Sequence, residues 1–318
     1  MLAARTRSGL VETMHDGAVA VVTPDGGLVA HSGDIDQPFY LRSAAKPFQA
    51  LASQEHGAAL GPLELALACA SHDGHPVHVA LVESMLAKIG LGESDLQCPP
   101  SWPLADTATN RLRMEMVGRN DDPRRIWHDC SGKHAGWLRA CHAQGWALDG
   151  YLAPDHPLQV AITDLIAELG GFPVSPVGVD GCGAPVHRTT TRAMATLYAR
   201  LGSMARLREV FDTMHRYPAL VSGPGNGDAS IAIALNAAAK RGAAGCIGVA
   251  FDRRLGVAVK SWDGIQEVAD VAAIATMAAL DELPRIAADR LLLLARPTVL
   301  GGDRPVGELE PRLELQWA

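Results

Sequence analysis

The sequence has no long hydrophobic run and no excess of positive charge, and both absences exclude classes of protein. Its most apolar stretches, 229–239 and 271–280, end at Lys240 and Asp281, short of the ~18 uncharged residues that a membrane span needs. Lys and Arg number 28 against 35 Asp and Glu, so the formal net charge of -7 creates no field that gathers phosphates or anionic lipids. We therefore expect neither a membrane nor a nucleic acid partner.

A secretory signal is also missing, because Glu12 and Asp16 interrupt what would have to be its apolar segment. We therefore expect a cytoplasmic protein, and in that compartment thiols stay reduced. Six cysteines are then core residues, metal ligands or reactive thiols rather than disulfide partners: Cys69, Cys98, Cys130, Cys141, Cys182 and Cys246.

Disordered, collagen-like and coiled-coil chains are excluded by composition, since 48% of the 318 residues are hydrophobic and 20% are charged. Short β-branched runs around turns predict two hairpins, one from 17–22 and 28–31 and one from 246–251 and 257–260. Helical spacing of apolar residues predicts helices at 77–89, 109–117, 157–169, 191–201, 228–240 and 268–280. These elements predict an α+β fold in which the terminal hairpins form one antiparallel sheet covered by helices.

The segment Arg42-Ser43-Ala44-Ala45-Lys46-Pro47 is the first candidate for chemistry. On a helical turn, Ser43 and Lys46 lie on one face, and a neutral lysine there can take the proton of the serine hydroxyl. Pro47 fits only in a first turn, which places the pair at a helix N-terminus. A serine that starts a helix beside a solvated lysine is the more common explanation of such a pair.

Two further segments hold candidate groups. In the loop 69–78, Ser71 is followed by His72, Asp73 and His78, which could form a charge relay or bind metal, although a serine capping the next helix is favoured. On the strand 257–260, Lys260 is either an exposed edge lysine or part of a Lys-Ser-x-x-Gly element. With the two serines, that element is similar to the three signature elements of serine β-lactamases and penicillin-binding proteins.

A third cluster combines cysteine, histidine and glycine. Cys130, His134 and Cys182 are ligand types suited to zinc, and the glycines around them permit close backbone approach. Because C-x-x-C spacing is absent, two free core thiols remain the default interpretation of the cysteines alone.

Taken together, five segments in register are similar to the L-asparaginase II family of the Rhizobium etli type. They are Arg42-Ser-Ala-Ala-Lys-Pro47, Ala70-Ser-His-x-Gly74 with His78, Cys130-Ser-Gly-Lys-His-Ala-Gly136, Asp180-Gly-Cys-Gly-Ala-Pro185, and Val259-Lys260 with Asp263-Gly264. The resemblance implies a serine β-lactamase/glutaminase-like fold, a single catalytic domain over 1–318, and hydrolysis of L-asparagine to L-aspartate and ammonia. It also implies a homodimer.

The resemblance further implies roles for individual residues. Ser43 would be the nucleophile with Lys46 as its base, and Ser71 with Lys260 would be a second Ser-Lys pair. One zinc ion would assist substrate binding, held by Cys130, Lys133 and Cys182, whereas general metal chemistry favours His134 over a lysine. The implied contacts to substrate come from Arg42, His134 and Asp180.

The chain departs from the family pattern at Asp73 and His75, and its loop 222–228 matches only approximately. These departures bear on kinetics rather than on reaction class. Two alternatives stay open: a β-lactamase or penicillin-binding-like serine hydrolase, and an inactive asparagine- and zinc-binding sensor of the same fold.

Overall fold

The computed structural model describes residues 1–104, 109–119, 121–251 and 253–318. Its strands are β1 (Ala3–Arg7), β2 (Leu10–His15), β3 (Gly17–Val22), β4 (Leu28–Ser32), β5 (Phe39–Tyr40), β6 (Gly178–Val179), β7 (Pro185–Val186), β8 (Arg188–Thr189), β9 (Ala237–Gly242), β10 (Cys246–Phe251), β11 (Gly256–Ser261), β12 (Thr298–Gly301), β13 (Arg304–Pro311) and β14 (Gln316–Trp317). Its helices are α1 (Lys46–Glu55), α2 (Pro62–Ala68), α3 (Pro76–Ala87), α4 (Thr109–Gly118), α5 (Ser131–Gln144), α6 (Pro157–Gly170), α7 (Thr191–Ser203), α8 (Arg208–Arg216), α9 (Pro218–Ser222), α10 (Gly227–Ala234), α11 (Gln266–Ala279) and α12 (Arg285–Ala295).

The central layer is a six-stranded antiparallel sheet in the order β14-β4-β3-β11-β10-β9. Its N-terminal and C-terminal parts meet where β3 pairs with β11, with Ala18 opposite Lys260 and Val22 opposite Gly256. Strand β9 forms one edge of the sheet and pairs with β10. The predicted α+β fold, an antiparallel sheet from both ends of the chain covered by helices, is confirmed. Its assignment to one domain stays a prediction.

The sheet is buried on both faces, because alternate side chains of its strands enter two different hydrophobic cores. Ala18 and Ala20 face the core shared with the helices of the middle of the chain, whereas Val19 and Val21 face the core under α11 and α12. Small residues on the first face let α7 pack closely: a Cβ at Gly256 would lie 2.1 Å from the carbonyl oxygen of Ala195.

Both predicted hairpins and five of the six predicted helices are present, with bounds shifted by a few residues at their ends. The helix predicted at 228–240 is wrong, because α10 ends at Ala234 and β9 begins at Ala237. Alanine favours helix formation, and the run 237–239 is rich in alanine. In the structure these residues instead form a strand, because they pair with β10.

Some parts of the fold have no counterpart in the predictions. A second sheet, in the order β12-β13-β1-β2, was not predicted. In this sheet β13, near the C-terminus, pairs with β1, near the N-terminus. The turn predicted after β10 includes Asp252, which lies outside the described residues. Among the helices that the structure describes, none has the length and hydrophobicity of a membrane span.

Candidate active site

Ser43 lies in a tight 3-10 turn, Arg42–Ala45, that leads directly into α1. Pro47 occupies the first turn of α1, as its fixed φ predicts. Arg42 has a φ of +50°, a left-handed conformation that a side-chain-bearing residue adopts only when its surroundings impose it. Strained backbone of this kind is common at functional sites, and Arg42 immediately precedes Ser43.

Strand β9 holds this turn in place through Gly242. A Cβ at Gly242 would lie 2.7 Å from the carbonyl oxygen of Leu41 and 3.2 Å from the amide nitrogen of Ala44. Only glycine therefore allows the edge strand to approach the turn that carries Ser43.

We expect Gly242→Ala to lower the turnover of the enzyme by about tenfold or more, because the added methyl group displaces the turn and with it Ser43. The matched control is Gly92→Ala, at a position where a Cβ meets no atom within 4 Å. Steady-state kinetics and melting temperatures of both variants check this prediction. Wild-type turnover in Gly242→Ala would show that the contact is unimportant.

Lys46 is buried and directed at Ser71. Its side chain is 1% exposed, and Nζ donates hydrogen bonds to Ser71 Oγ at 2.9 Å and to the carbonyl oxygen of Ala70 at 2.6 Å. The carboxylate of Asp129 lies 3.8 Å from the same Nζ. The structure therefore joins Lys46 directly to the second serine, and the pairing with Ser43 that the spacing predicts stays a prediction.

Asp129 contributes a negative charge beside this lysine. Burial alone would raise the pKa of the Asp129 carboxyl, but Lys46 and a hydrogen bond with His128 outweigh burial and hold that pKa well below its usual range. The carboxylate is therefore ionised at neutral pH and lies beside Lys46 Nζ.

Ser43, Ser71 and Asp129 line one cavity of about 240 Å³. Its walls come from the turn before α1, the loop after α2, the segment before α5 and the edge strand β9. Lys240 on β9 lines the same cavity. The volume suits a small molecule of amino acid size rather than a polymer.

Lys260 does not share this cavity, among the residues that the structure describes. It lies on β11, which β10 separates from β9, so it is about two strand spacings, or roughly 10 Å, from the edge beside Ser43. Its Nζ donates to the carbonyl oxygens of Ala244 at 2.5 Å and Ser261 at 2.6 Å. The pairing of Ser71 with Lys260 stays a prediction, and a lysine that lines the cavity together with Ser71 is Lys240.

A sequence signal for Lys240 was present. Lys240-Arg241-Gly242 has the Lys-x-Gly form of the third element of serine β-lactamases. The segment was missed because it lies at the C-terminal end of the helix predicted at 228–240. A lysine at the end of a helix is usually exposed to solvent.

In the histidine-rich loop 71–78, the described hydrogen bonds of the His72 ring go to residues other than Ser71. His72 Nε2 pairs with Ser131 Oγ at 2.9 Å, and its Nδ1 accepts from the amide of Gly74. The residue that precedes α3 at its N-cap is His75, not Ser71, so the capping interpretation is wrong. Hydrogen bonding by His72 fixes the loop shape that presents Ser71 to Lys46.

Cys130, Lys133 and Cys182 lie together in the interior. Lys133 Nζ is 3.2 Å from Cys182 Sγ, and the two thiols are hydrogen bonded to each other. The interaction with Cys182 lowers the pKa of Cys130 well below its ordinary value, whereas the same interaction and burial raise the pKa of Cys182. Burial opposes the charge of Lys133, but the two cysteines outweigh it and raise its pKa.

This cluster adjoins the cavity and supplies a donor set that fits zinc. Thiolate sulfur and a buried nitrogen are zinc ligands, and the lysine amine becomes neutral when a metal displaces its proton. His134, which general chemistry favoured, binds Tyr151 Oη through Nδ1 at 2.7 Å. Its buried Nε2 has no hydrogen-bond partner among the described residues.

Arg42 and Asp180 connect the two parts of the site. Arg42 Nε donates to Asp180 Oδ1 at 2.6 Å, and Asp180 opens the turn that carries Cys182. The ion pair links the strained residue before Ser43 to the segment of the cysteine cluster.

A family model described as L-asparaginase II matches residues 3–311. The chain belongs to the L-asparaginase II family. Membership agrees with the α+β fold described above and supports the hydrolysis of a small-molecule amide. A comparison with curated proteins finds no match.

Solved structures similar to this L-asparaginase II chain share little sequence with it. Mglu in its native form is 17% identical with a TM-score of 0.44, over 86% of this chain and 66% of that one. Mglu in its L-glutamate binding form is 18% identical with a TM-score of 0.43, over 90% and 62%. A Bacillus glutaminase is 13% identical with a TM-score of 0.36, over 84% and 91%. This chain spans just under two thirds of Mglu in its native form.

Proposed function

We propose that this protein hydrolyses L-asparagine to L-aspartate and ammonia through an acyl-enzyme on Ser43. The supporting observation is the small cavity that holds Ser43 and Ser71 between two lysines, Lys46 and Lys240. A serine hydroxyl is a weak nucleophile unless a base takes its proton, and Lys46, which is hydrogen bonded to Ser71, is the proposed base.

The reaction proceeds in two halves. Ser43 Oγ attacks the side-chain amide carbon of asparagine while its proton passes through Ser71 Oγ to the neutral amine of Lys46. The same proton then moves to the departing nitrogen, so the C–N bond breaks and ammonia leaves. Water attacks the resulting ester, gives a proton to Lys46, and releases aspartate as Ser43 regains its hydrogen.

Negative charge develops on the amide oxygen of the substrate when Ser43 attacks. Hydrogen-bond donors that are already in position stabilise this charge. The backbone N–H groups of Ser43 and Ala243, two residues that line the cavity, are the proposed donors. Lys240 adds a positive charge at the same wall. Such preorganised donors contribute about 2.7–4 kcal/mol each in other hydrolases.

Zinc is a separate proposal. Cys130, Lys133 and Cys182 would hold one ion, and the bound ion would offer a positive site for polar groups of the substrate. The nucleophile comes from Ser43, so the ion assists binding. The chain's own part is to keep the two sulfurs and the lysine nitrogen within contact of one another.

Protein purified without chelator is expected to contain about one zinc per chain by elemental analysis, and Cys130→Ser is expected to lose it. Cys141→Ser is the matched control, since Cys141 is a buried free thiol on α5, the helix that Cys130 immediately precedes. If the wild-type protein contains no metal, Cys130 and Cys182 are buried core thiols rather than metal ligands.

The function itself is tested by ammonia release from asparagine and from glutamine, each with and without added zinc. Asparagine turnover supports the proposal. Acylation of Ser43 by a penicillin with no amide hydrolysis would indicate a β-lactam enzyme instead. Tight asparagine binding without ammonia would indicate a sensor. The homodimer stays a prediction that sedimentation of the purified protein tests.

A further inference from the structure

Asp228 and Lys240 form an ion pair almost without solvent contact behind the cavity wall. Lys240 Nζ lies 3.3 Å from Asp228 Oδ2, and the two side chains are 1% and 0% exposed. Removing either charge from such a pair leaves the other buried and uncompensated, which is strongly unfavourable. The carboxylate on α10 is therefore tied to the lysine on β9.

Asp228 has a single fixed orientation. Ser222 Oγ donates to its Oδ1 at 2.5 Å, and the amide of Arg241 donates to its Oδ2 at 2.9 Å. The amide of Ala229 adds a third bond to Oδ1 at 3.1 Å. Because three donors in addition to the lysine bind this carboxylate, its side chain is held in one conformation. It therefore determines the position of Lys240 Nζ.

Several charged or titratable groups face Lys240 from the elements packed around it. They are Asp228 on α10, Lys46 on α1, Asp129 before α5, Cys69 after α2, Cys246 on β10 and Arg241 beside it on β9. Burial lowers the pKa of Lys240, Asp228 opposes that effect, and Lys46 adds to it. The pKa of Lys240 is lowered overall, and Asp228 is the largest influence that opposes this lowering.

We propose that Asp228 is a positioning residue that holds Lys240 as a fixed cation at the cavity wall. This inference rests on the proposed function, in which the two lysines have different tasks. Lys46 Nζ donates to the Ser71 hydroxyl and lies 3.8 Å from Asp129. Lys240 Nζ instead lies 3.3 Å from Asp228, a fully buried carboxylate that hydrogen bonds hold in place. Environments that separate two like groups in this way assign acid–base roles at many active sites.

The decisive variant is Asp228→Asn, which keeps the size of the side chain and removes its charge. Without the carboxylate, Lys240 loses its proton at a lower pH. We therefore expect the alkaline limb of the pH profile of kcat/KM for asparagine to move to lower pH by about one unit or more. At the wild-type optimum, kcat should fall by about tenfold or more, with a smaller change in KM.

Asp270→Asn is the matched control. Asp270 is another buried carboxylate of the same region, but its described hydrogen bonds join Arg241 and Gln266 rather than Lys240. The alkaline limb should stay at its wild-type position in Asp270→Asn. Asp228→Glu, which retains the charge, should restore the limb in whole or in part. A purely structural role for Asp228 would lower stability in Asp228→Asn without moving the limb.

An NMR titration separates this inference from the proposed function. In protein carrying ¹⁵N-labelled lysine, the Nζ resonance of Lys240, assigned by its loss in Lys240→Met, should titrate at lower pH in Asp228→Asn than in wild type. If wild type releases no ammonia, the proposed function fails and this titration still tests the pair. An unchanged Lys240 titration overturns the inference.

If Asp228→Asn does not fold, Ser222→Ala replaces it. That variant removes one bond to Asp228 and leaves its charge, so kcat should fall while the alkaline limb stays in place. Wild-type kcat in folded Ser222→Ala would overturn the positioning role.

Discussion

Replacing Ser43 by alanine is expected to lower kcat/KM for ammonia release from asparagine by at least about 1,000-fold, since removal of a nucleophile abolishes the covalent pathway. The fold should be unaffected, because Ser43 lies partly exposed in its turn and the substitution only deletes an oxygen. A coupled ammonia assay with the melting temperature of each variant measures both effects.

The matched control for this experiment is Ser53→Ala. Ser53 lies on the same helix that follows Ser43, and its Oγ bonds the carbonyl oxygen of Gln49 away from the cavity. It should retain wild-type activity. Substantial activity in Ser43→Ala would remove Ser43 from the role of nucleophile and would direct attention to Ser71.

Lys240→Met is expected to lower kcat/KM by about 100-fold or more, because it removes the fixed cation from the cavity wall. The comparison is Lys260→Met on β11, where the ammonium group binds two carbonyl oxygens and lies over the rings of Phe39 and Trp262. We expect Lys260→Met to lose stability and to change kcat/KM by less than about threefold. Parallel kinetics and thermal unfolding measure the contrast.

This pair of variants decides between the arrangement implied by sequence resemblance and the arrangement in the structure. A large loss of activity in Lys260→Met, with a stable fold and an active Lys240→Met, would support the Ser71–Lys260 pair. Equal losses in both would point to a general effect on the sheet rather than to a lysine in the cavity.

Local patterns were sufficient for the hairpins, for most helices and for the position of Ser43 at a helix start. Pro47 and the three-residue spacing to Lys46 carry that information within six residues. The grouping of Cys130, Lys133 and Cys182 could also be anticipated, although only through resemblance, because a lysine next to a cysteine pair has many simpler explanations.

The choice between the two lysines could not be made locally. Lys240 and Lys260 both precede small or turn residues, and both have the Lys-x-Gly or Lys-Ser-x-x-Gly form. What distinguishes them is strand order, since β9 is an edge and β11 is interior. The order of strands in a sheet depends on contacts between distant segments. In addition, the alanine-rich start of β9 led to the prediction of a helix instead of a strand. Asp228 was invisible for the same reason, because its partner is defined only after β9 has paired.

The pairing of β3 with β11 joins segments more than 200 residues apart in the chain. Contacts of such wide sequence separation form late, because the intervening chain must first lose the entropy of a very large loop. During synthesis Ser43, Lys46 and Ser71 emerge long before Lys240, so a nascent chain carries the nucleophile and its base without the wall that completes the cavity. The ability to hydrolyse an amide should therefore arise only when the last strands of the central sheet have been added.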